Sequence, residues 1–174
     1  MKRFLGVVSL VLVMTFLGQY AIGQSFKFGH INRNELIQGL PEFDSARVQL
    51  EKLSTDLSNA LEMLQVEYNN KADAYLKASK TLTDLVRQTK EQELQDYQNR
   101  MQTFQVNAQN QLQEKQVELF TPITTKADKA IKDVGKENGY IYIFDTSPGG
   151  QVIYFDEAKS TNVMALAKAK LGLK

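Results

Sequence analysis

The hydrophobic residues between positions 50 and 85 follow a seven-residue repeat. One line of the repeat holds Leu50, Leu57, Leu64, Ala78 and Leu85, and the other holds Leu61, Tyr68, Tyr75 and Leu82. This spacing is typical of helices that pack side by side in a coiled coil. Lys71 and Ser54 interrupt the lines, and most remaining positions are polar. The predicted stripe is therefore too thin to build a globular core.

The next forty residues follow a different period. Val86, Tyr97, Ala108 and Leu119 recur every eleven residues, and Met101 and Leu112 do the same. An eleven-residue period predicts a straight or slightly right-handed helical path. The two halves of this region are therefore not expected to wind tightly around each other along their whole length.

Both halves together form one long helical region. No Gly or Pro occurs from Glu42 to Thr121, and the stretch is rich in Gln, Glu, Lys, Leu and Ala. A single helix of this size would be about 120 Å long. Strand-like segments lie at both ends, so the chain is expected to return to its start. We predict a hairpin with arms of roughly 60 Å that reverses near residues 81–82, with Thr83 capping the second helix.

Short strands flank the helical region. Phe26–Ile31 alternates apolar and polar residues, and Tyr140–Phe144 and Val152–Phe155 are β-rich runs separated by the turn sequence "TSPGG". The run Tyr140–Phe144 would place Ile141 and Ile143 on one face of its strand, with aromatic residues on the other. Both faces are apolar and should be covered. Three strands also leave open edges, which assembly with other copies would close.

Two further helices are expected in the C-terminal part. Pro122 is predicted to start one that ends at Gly135 and Asn138–Gly139. Its apolar face would hold Ile123, Ala127, Ala130, Ile131 and Val134. The last helix is expected to begin near Thr161, with Val163, Met164, Leu166, Ala167 and Leu171 as its apolar positions.

These elements predict an α+β fold in which a long antiparallel, coiled-coil-like helical hairpin is attached to a small β body formed by oligomerisation. Residues 1–23 are assigned to a signal peptide, 24–44 and 121–174 to the body, and 45–120 to the hairpin with its tip near 80–84.

The N-terminal residues predict a secretory signal peptide. Lys2 and Arg3 precede an apolar run from Phe4 to Leu17, and "AIG" ends at Gly23. An uncleaved membrane anchor is the alternative, but the run is shorter than the roughly 20 residues of a spanning helix. The predicted mature start is Gln24, with no Cys for lipid attachment. We expect export to the periplasm of a Gram-negative bacterium.

Composition narrows the function. The full chain of 174 residues has a formal net charge of +1 and no Cys. Without Lys2 and Arg3, 19 basic residues face 20 acidic ones, a net charge of −1. Neither disulfides nor thiol chemistry are expected. A near-neutral chain also gives no support for nucleic-acid binding.

No catalytic, cofactor or metal constellation is found in the sequence, and we expect no enzyme activity and no cofactor. His30 is the only histidine, and a local hydrogen bond within its strand is the expected role rather than partnership with Asp145 or Asp156. Ser147 lies in "TSPGG", which is turn chemistry and not a nucleophile elbow.

The order of elements resembles the Skp/OmpH periplasmic chaperones. The matching stretches are "KFGHINRNELIQ", the long polar hairpin and "NGYIYIFDTSPGGQVIYFDEAKSTNVMALAKAKL". Ile31–Asn32 matches the family's hydrophobic-Asp/Asn element at the end of the first strand. The resemblance covers the whole mature chain and is carried by the order and spacing of elements more than by any single residue.

The resemblance implies a trimer with three hairpins projecting around a cavity. It also implies an ATP-independent holdase that keeps unfolded outer-membrane β-barrel proteins from aggregating. The chain departs from the family at Lys159–Ser160–Thr161, where only the Thr helix cap is kept. Between Ala46 and Phe120 it has nine basic and eleven acidic residues, unlike the strongly basic hairpins of the enterobacterial member.

Candidate contact residues follow from this reading. Aliphatic residues of the hairpin are candidates for binding unfolded polypeptide, alongside the alternative that they widen the packing between the arms: Leu76, Leu82, Val86, Leu94 and Val106. Tyr68, Tyr75, Tyr97, Met101 and Phe104 are expected to pack in the seam. Candidates for oligomerisation lie in the body: Phe28, Ile31, Ile141, Ile143, Val152 and Tyr154.

Two other functions compete with the holdase. A structural or adaptor coiled coil of the cell envelope fits the seven-residue repeat equally well and predicts a folded partner. A membrane-surface or lipopolysaccharide binder is unsupported, since the helices lack a basic face opposite a bulky apolar one.

Overall fold

The computed structural model describes residues 26–173, so the predicted signal peptide at 1–23 lies outside the described residues. Seven elements follow one another within these described residues. They are β1 (Phe28–Ile31), α1 (Arg33–Gln38), α2 (Pro41–Ala78), α3 (Asp84–Glu137), β2 (Tyr142–Asp145), β3 (Ser160–Asn162) and α4 (Met164–Lys170). The fold is α+β, with α2 and α3 forming the predicted hairpin and the strands forming one small sheet.

Hydroxyl side chains mark the reversal of the hairpin, where the sequence offers neither Gly nor Pro. Ser79 and Thr81 donate their hydroxyl hydrogens to the carbonyl oxygens of Leu76 and Ala78, at 3.0 and 2.8 Å. Thr83 then caps α3, as predicted, by accepting a hydrogen bond from the N–H of Val86 at 3.4 Å. Such local bonds compete with the helical ladder and let the chain leave the helix.

The second arm is longer than expected. Pro122 does not start a new helix, and Gly135 does not end one, because α3 runs without interruption to Glu137. Proline removes one backbone donor and usually disfavours a helix interior. Here the helix persists because Ile123 and Ala127, directly after the proline, are buried in the core. The predicted stop at Asn138–Gly139 is confirmed, since Asn138 is the C-cap and Gly139 has a φ of +69°.

The sheet is parallel, with β1 in the middle and the order β2–β1–β3. Phe28 pairs with Tyr142 on one side and with Ser160 on the other. The predicted strand at Val152–Phe155 is therefore wrong for the single chain, in which the third strand is Ser160–Asn162. "TSPGG" is a turn, with Gly150 donating to the Ser147 carbonyl at 2.8 Å, but it does not join a β-hairpin.

The core lies where one face of the sheet meets α1, α4 and the base of the hairpin. Its buried members are Ile31, Leu36, Ile37, Leu40, Ala46, Ile123, Ala127, Val134, Val163 and Ala167. Gly29 allows the sheet to come close, because a Cβ at this position would lie 3.0 Å from Val163 and 3.2 Å from Ile143. The core thus belongs to the body, and the hairpin adds only its base.

The last helix begins later than predicted, at Met164. Thr161 lies in β3 and is not its cap. The cap position is Val163, which is fully buried, and the Asn162 side chain accepts the N–H of Met164 at 2.9 Å instead. Within residues 26–173 no helix is long and apolar enough to cross a membrane.

Candidate functional site

The hairpin contains no buried side chain between Arg47 and Pro122. Ala46 and Ile123, at its base, are the outermost buried residues on the two arms. The predicted seam is half-buried at all its positions except Leu85 and Val86, which are exposed, Leu85 to 74%. Tyr68, Tyr75, Tyr97, Met101 and Phe104 are half-buried in this seam. The arms therefore meet along a narrow line and leave most of their surface in water.

Polar contacts join the arms in their outer half, and we call them the cross-arm ladder. Lys71 pairs with Glu93 at 2.6 Å, which explains why a charged residue interrupts the repeat. The Tyr75 hydroxyl donates to Glu91 at 2.5 Å, and the Tyr97 hydroxyl donates to Glu67. In a fourth contact Gln98 donates to the Tyr68 hydroxyl at 2.7 Å.

Charge pairing shifts the pKa values of the ladder. Hydrogen bonds from Lys71, and then from Lys90 at 2.8 Å, lower the pKa of Glu93 from 4.5 to about 2. The same bond to Glu93 raises the pKa of Lys71. Carboxylates that accept the phenol hydrogens raise the pKa values of Tyr75 and Tyr97. Glu93 is thus ionised, and Tyr75 and Tyr97 are neutral, around pH 7.

The five aliphatic residues predicted to bind unfolded chain fall into two groups. Leu82 and Leu94 line a cleft of about 250 Å³ between the arms, together with Ala74, Tyr75 and Ala78. Leu76, Val86 and Val106 instead face water, Leu76 to 68% and Val106 to 55%. Their role in binding stays a prediction.

Sequence reasoning missed several side chains of the same kind. Further aliphatic residues on the hairpin are exposed: Val48, Met63, Val66, Leu85 and Val117. The helical repeat contained the signal for some of them, because Val48 and Val66 lie opposite the seam of α2 at 100° per residue. Met63 and Val66 are neighbours on α2, and polar residues separate the others, so together they do not form one continuous apolar patch.

A groove of about 460 Å³ lies at the base of the hairpin, where sequence analysis placed no site. Pro41, Ala46, Leu119, Pro122 and Ile123 supply its apolar lining. An ion pair between Glu42 and Lys126 crosses its edge. Nearby, the rings of Phe43 and Phe120 meet edge to face at 5.4 Å and clamp the two arms together.

The outer face of the sheet carries an aromatic cluster of Phe28, Tyr142 and Phe144, which we call the aromatic face. Its rings stack at centroid distances of 6.0 to 6.4 Å. Tyr142 and Phe144 remain exposed, so this face of the sheet is open in the single chain. Both faces of the strands were expected to be covered, but in the single chain only the face toward the core is covered.

The extended segment 151–155 lies beside this sheet and pairs with no described strand. Ile153 is 101% exposed and Tyr154 is 83% exposed. Among the predicted oligomerisation residues, Phe28, Ile141, Val152 and Tyr154 are exposed or half-buried. Ile31 and Ile143 instead belong to the core of their own chain, Ile31 with 1% exposure.

Asp145, at the end of β2, ties the sheet to α1. Its Oδ1 accepts hydrogen bonds from the Ser147 hydroxyl at 2.5 Å, from the Ser147 N–H at 2.9 Å and from the Arg33 N–H at 3.2 Å. Burial alone would raise the pKa of Asp145, but these bonds outweigh it and lower the pKa. Asn32 caps α1 by accepting the Glu35 N–H at 3.0 Å. Asn32 and Asp145 therefore hold α1, β2 and the following turn together.

His30 contacts the neighbouring strand β3, and the predicted local bond within its own strand is wrong. Its Nδ1 lies 2.9 Å from the Ser160 hydroxyl, and its ring packs on Phe155 at 4.6 Å. Within residues 26–173 no group of three or more His, Asp or Glu side chains could hold a metal ion.

Comparison with known proteins finds one matching family, and the match covers nearly all of the described residues. No curated protein matches the chain significantly. The model of the family described as outer membrane protein (OmpH-like) matches residues 27–171, from the residue before β1 to the residue after α4. The match spans most of the chain, and the chain belongs to the OmpH-like family.

Proposed function

We propose that this protein is an ATP-independent holdase of the Gram-negative periplasm that binds unfolded outer-membrane β-barrel proteins before their insertion. The observation that carries the proposal is a long hairpin with no buried side chain from residue 47 to 122 and with single aliphatic residues on its surface. Membership of the OmpH-like family supports the same reading.

Scattered aliphatic contacts suit a chain that has no fixed shape. Each exposed Leu, Val or Met contributes only about 1 to 3 kcal/mol when it is buried. Several such contacts on one rigid arm act together, because the first contact raises the effective concentration of the next. Their separation by polar residues keeps the client from collapsing onto one patch.

The proposal includes a homo-oligomer, taken as a trimer from the family resemblance. The aromatic face, the unpaired segment 151–155 and the open edges of β2 and β3 support assembly, because exposed strand edges and apolar faces are normally covered. Hairpins from several copies would then surround one client. No enzymatic step, cofactor or nucleic acid enters this proposal.

Native mass spectrometry of the mature chain tests the proposal. The chain is measured alone and after a urea-unfolded outer-membrane barrel is diluted into it, while light scattering follows aggregation of the barrel. We expect an oligomer, with the trimer mass, that captures one barrel and suppresses scattering at stoichiometric amounts. Continued aggregation at these amounts would reject the holdase.

An adaptor of the cell envelope is the second candidate. The ordered cross-arm ladder favours it, because a spacer benefits from arms held in one register. This function predicts a specific folded partner that can be crosslinked in cells, and no preference for unfolded chains. A mature chain that ignores the unfolded barrel but crosslinks to one folded envelope protein would establish this alternative.

A further inference from the structure

The charges of the hairpin are separated along its length, although their total is nearly balanced. We define the shaft as residues 41–70 of α2 and 91–120 of α3, and the outer segment as residues 71–90. The shaft has eleven carboxylates and four basic side chains, a formal net charge of −7. The outer segment has five basic side chains and two carboxylates, a net charge of +3.

Ion pairs with basic side chains reach fewer than half of the eleven shaft carboxylates. Ion pairs reach five of them: Glu42, Asp44, Glu51, Glu93 and Glu118. Glu67 and Glu91 accept tyrosine hydroxyls, and Asp96 accepts an amide N–H, so the donors at these three residues supply no positive charge. Asp56, Glu62 and Glu114 are exposed and form no ion pair with a residue of the described chain.

Most of the exposed aliphatic residues of the hairpin lie on this negatively charged shaft. Val48, Met63 and Val66 lie on the α2 side of the shaft, and Val106 and Val117 lie on the α3 side. Met63 and Val66 border a shallow surface site with Glu62 and Glu67, and Val117 borders another with Glu114 and Glu118. A chain that buries its apolar side chains here must bring its own charges within a few ångströms of these carboxylates.

We infer that the shaft selects unfolded polypeptides that carry net positive charge together with apolar side chains. Attraction between unlike charges raises the rate of encounter. Repulsion between like charges suppresses binding of partners that carry the same sign. Unfolded chains of net negative charge are repelled from the shaft and bind less tightly. This inference names the client class of the proposed holdase and rests on that function.

Two polypeptides test the inference. One urea-unfolded barrel sequence is prepared in two versions of equal length and hydropathy, one with net negative and one with net positive charge. Dissociation constants are measured for both with the intact mature protein. Salt is raised from about 0.01 M to about 1 M, which shortens the Debye length from about 30 Å to about 3 Å. We expect the positive version to bind about tenfold more tightly at low salt and the difference to vanish at high salt.

Matched variants assign the effect to the shaft. Asp56→Asn, Glu62→Gln and Glu114→Gln together remove three exposed charges while keeping side-chain size, which changes the net charge of the shaft from −7 to −4 and should reduce the preference. Lys77→Gln with Lys80→Gln, in the outer segment, should preserve or strengthen it. Circular dichroism checks that both variants remain helical.

The outcomes separate the two proposals. Equal, salt-independent binding of both versions, or tighter binding of the negative one, overturns the charge selection but leaves the holdase standing. Loss of the preference in the lysine variant to the same extent as in the carboxylate variant also overturns it. Failure to bind either version rejects the holdase itself, and the selection with it.

Discussion

At the scale of single residues, the body depends on one buried hydroxyl. Ser147 is buried, donates to Asp145 and accepts the Asn34 N–H at 3.0 Å. Ser147→Ala leaves that N–H without an acceptor and removes a donor from Asp145. We expect a loss of about 1 to 3 kcal/mol in the free energy of unfolding, measured by urea titration at fixed protein concentration.

Ser58→Ala provides the matched control. Ser58 is exposed on α2, and alanine has the higher helix propensity, so this change should be neutral or slightly stabilising. If Ser147→Ala and Ser58→Ala had the same small effect, the hydrogen bonds of Ser147 would not contribute to stability.

The ion pairs of Glu93 make the stability of the hairpin depend on pH in the acid range. Its pKa in the folded chain is about 2, below the 4.5 of a free glutamate, because Lys71 and Lys90 bind the carboxylate. A lowered pKa means that the stabilisation is complete above the unfolded pKa and is lost as the pH falls from 4.5 toward 2. We expect the wild-type free energy of unfolding to fall more steeply over this range than that of Glu93→Gln. Parallel acid curves for the two proteins would contradict this role.

At the scale of elements, α3 is one helix with two environments. Its C-terminal part carries four buried residues between Ile123 and Val134, whereas residues 84–122 carry none. Amide exchange depends on local opening, which is easiest where few apolar contacts must break. We expect deuterium uptake to be slower by roughly tenfold or more in peptides from 123–134 than in peptides from 94–119. Uniform uptake along α3 would show that the whole arm opens as a unit.

The elements also show how far sequence reasoning reached. The hairpin followed from the missing helix breakers, and its cap from Thr83. The run through Pro122 could not be foreseen, because tertiary burial of the residues after it overrode a local preference against helix. Strand β3 was missed because Ser160–Asn162 is a polar segment of three residues in which only Thr161 favours a strand, and its pairing comes entirely from β1.

Binding candidates were predicted less well than the elements. The seven-residue repeat was extended through Leu85, but the phase of the helix is reset at the turn over residues 79–83. Leu85 therefore points to water. Leu94 was placed outside the seam, yet it lines the cleft between the arms, because α3 follows its own register toward Tyr97 and Met101.

At the scale of the whole molecule, the exposed segment beside the sheet is expected to hold the proposed oligomer together. Ile153→Asp with Tyr154→Asp places two charges where apolar contact with another copy is needed, and should shift the native mass to that of a monomer. The helix content should not change. Met63→Asp, at a hairpin position that is 68% exposed, should leave the oligomer intact. An unchanged mass for the double variant would exclude this segment from the interface.

The central position of β1 has a consequence for how the molecule is made. Of the three strands this one is synthesised first, yet both of its neighbours follow the helical hairpin, and His30 meets Ser160 across 130 residues. Contacts between residues so far apart in the sequence form slowly, because a long loop must close, at a cost in entropy, before these contacts stabilise the structure. The two arms can pair as soon as the second emerges, whereas the sheet must wait for β2 and β3. Nascent chains stalled before residue 142 should therefore be helical but leave β1 without a partner strand, and pairing on both sides of β1 requires synthesis through residue 162.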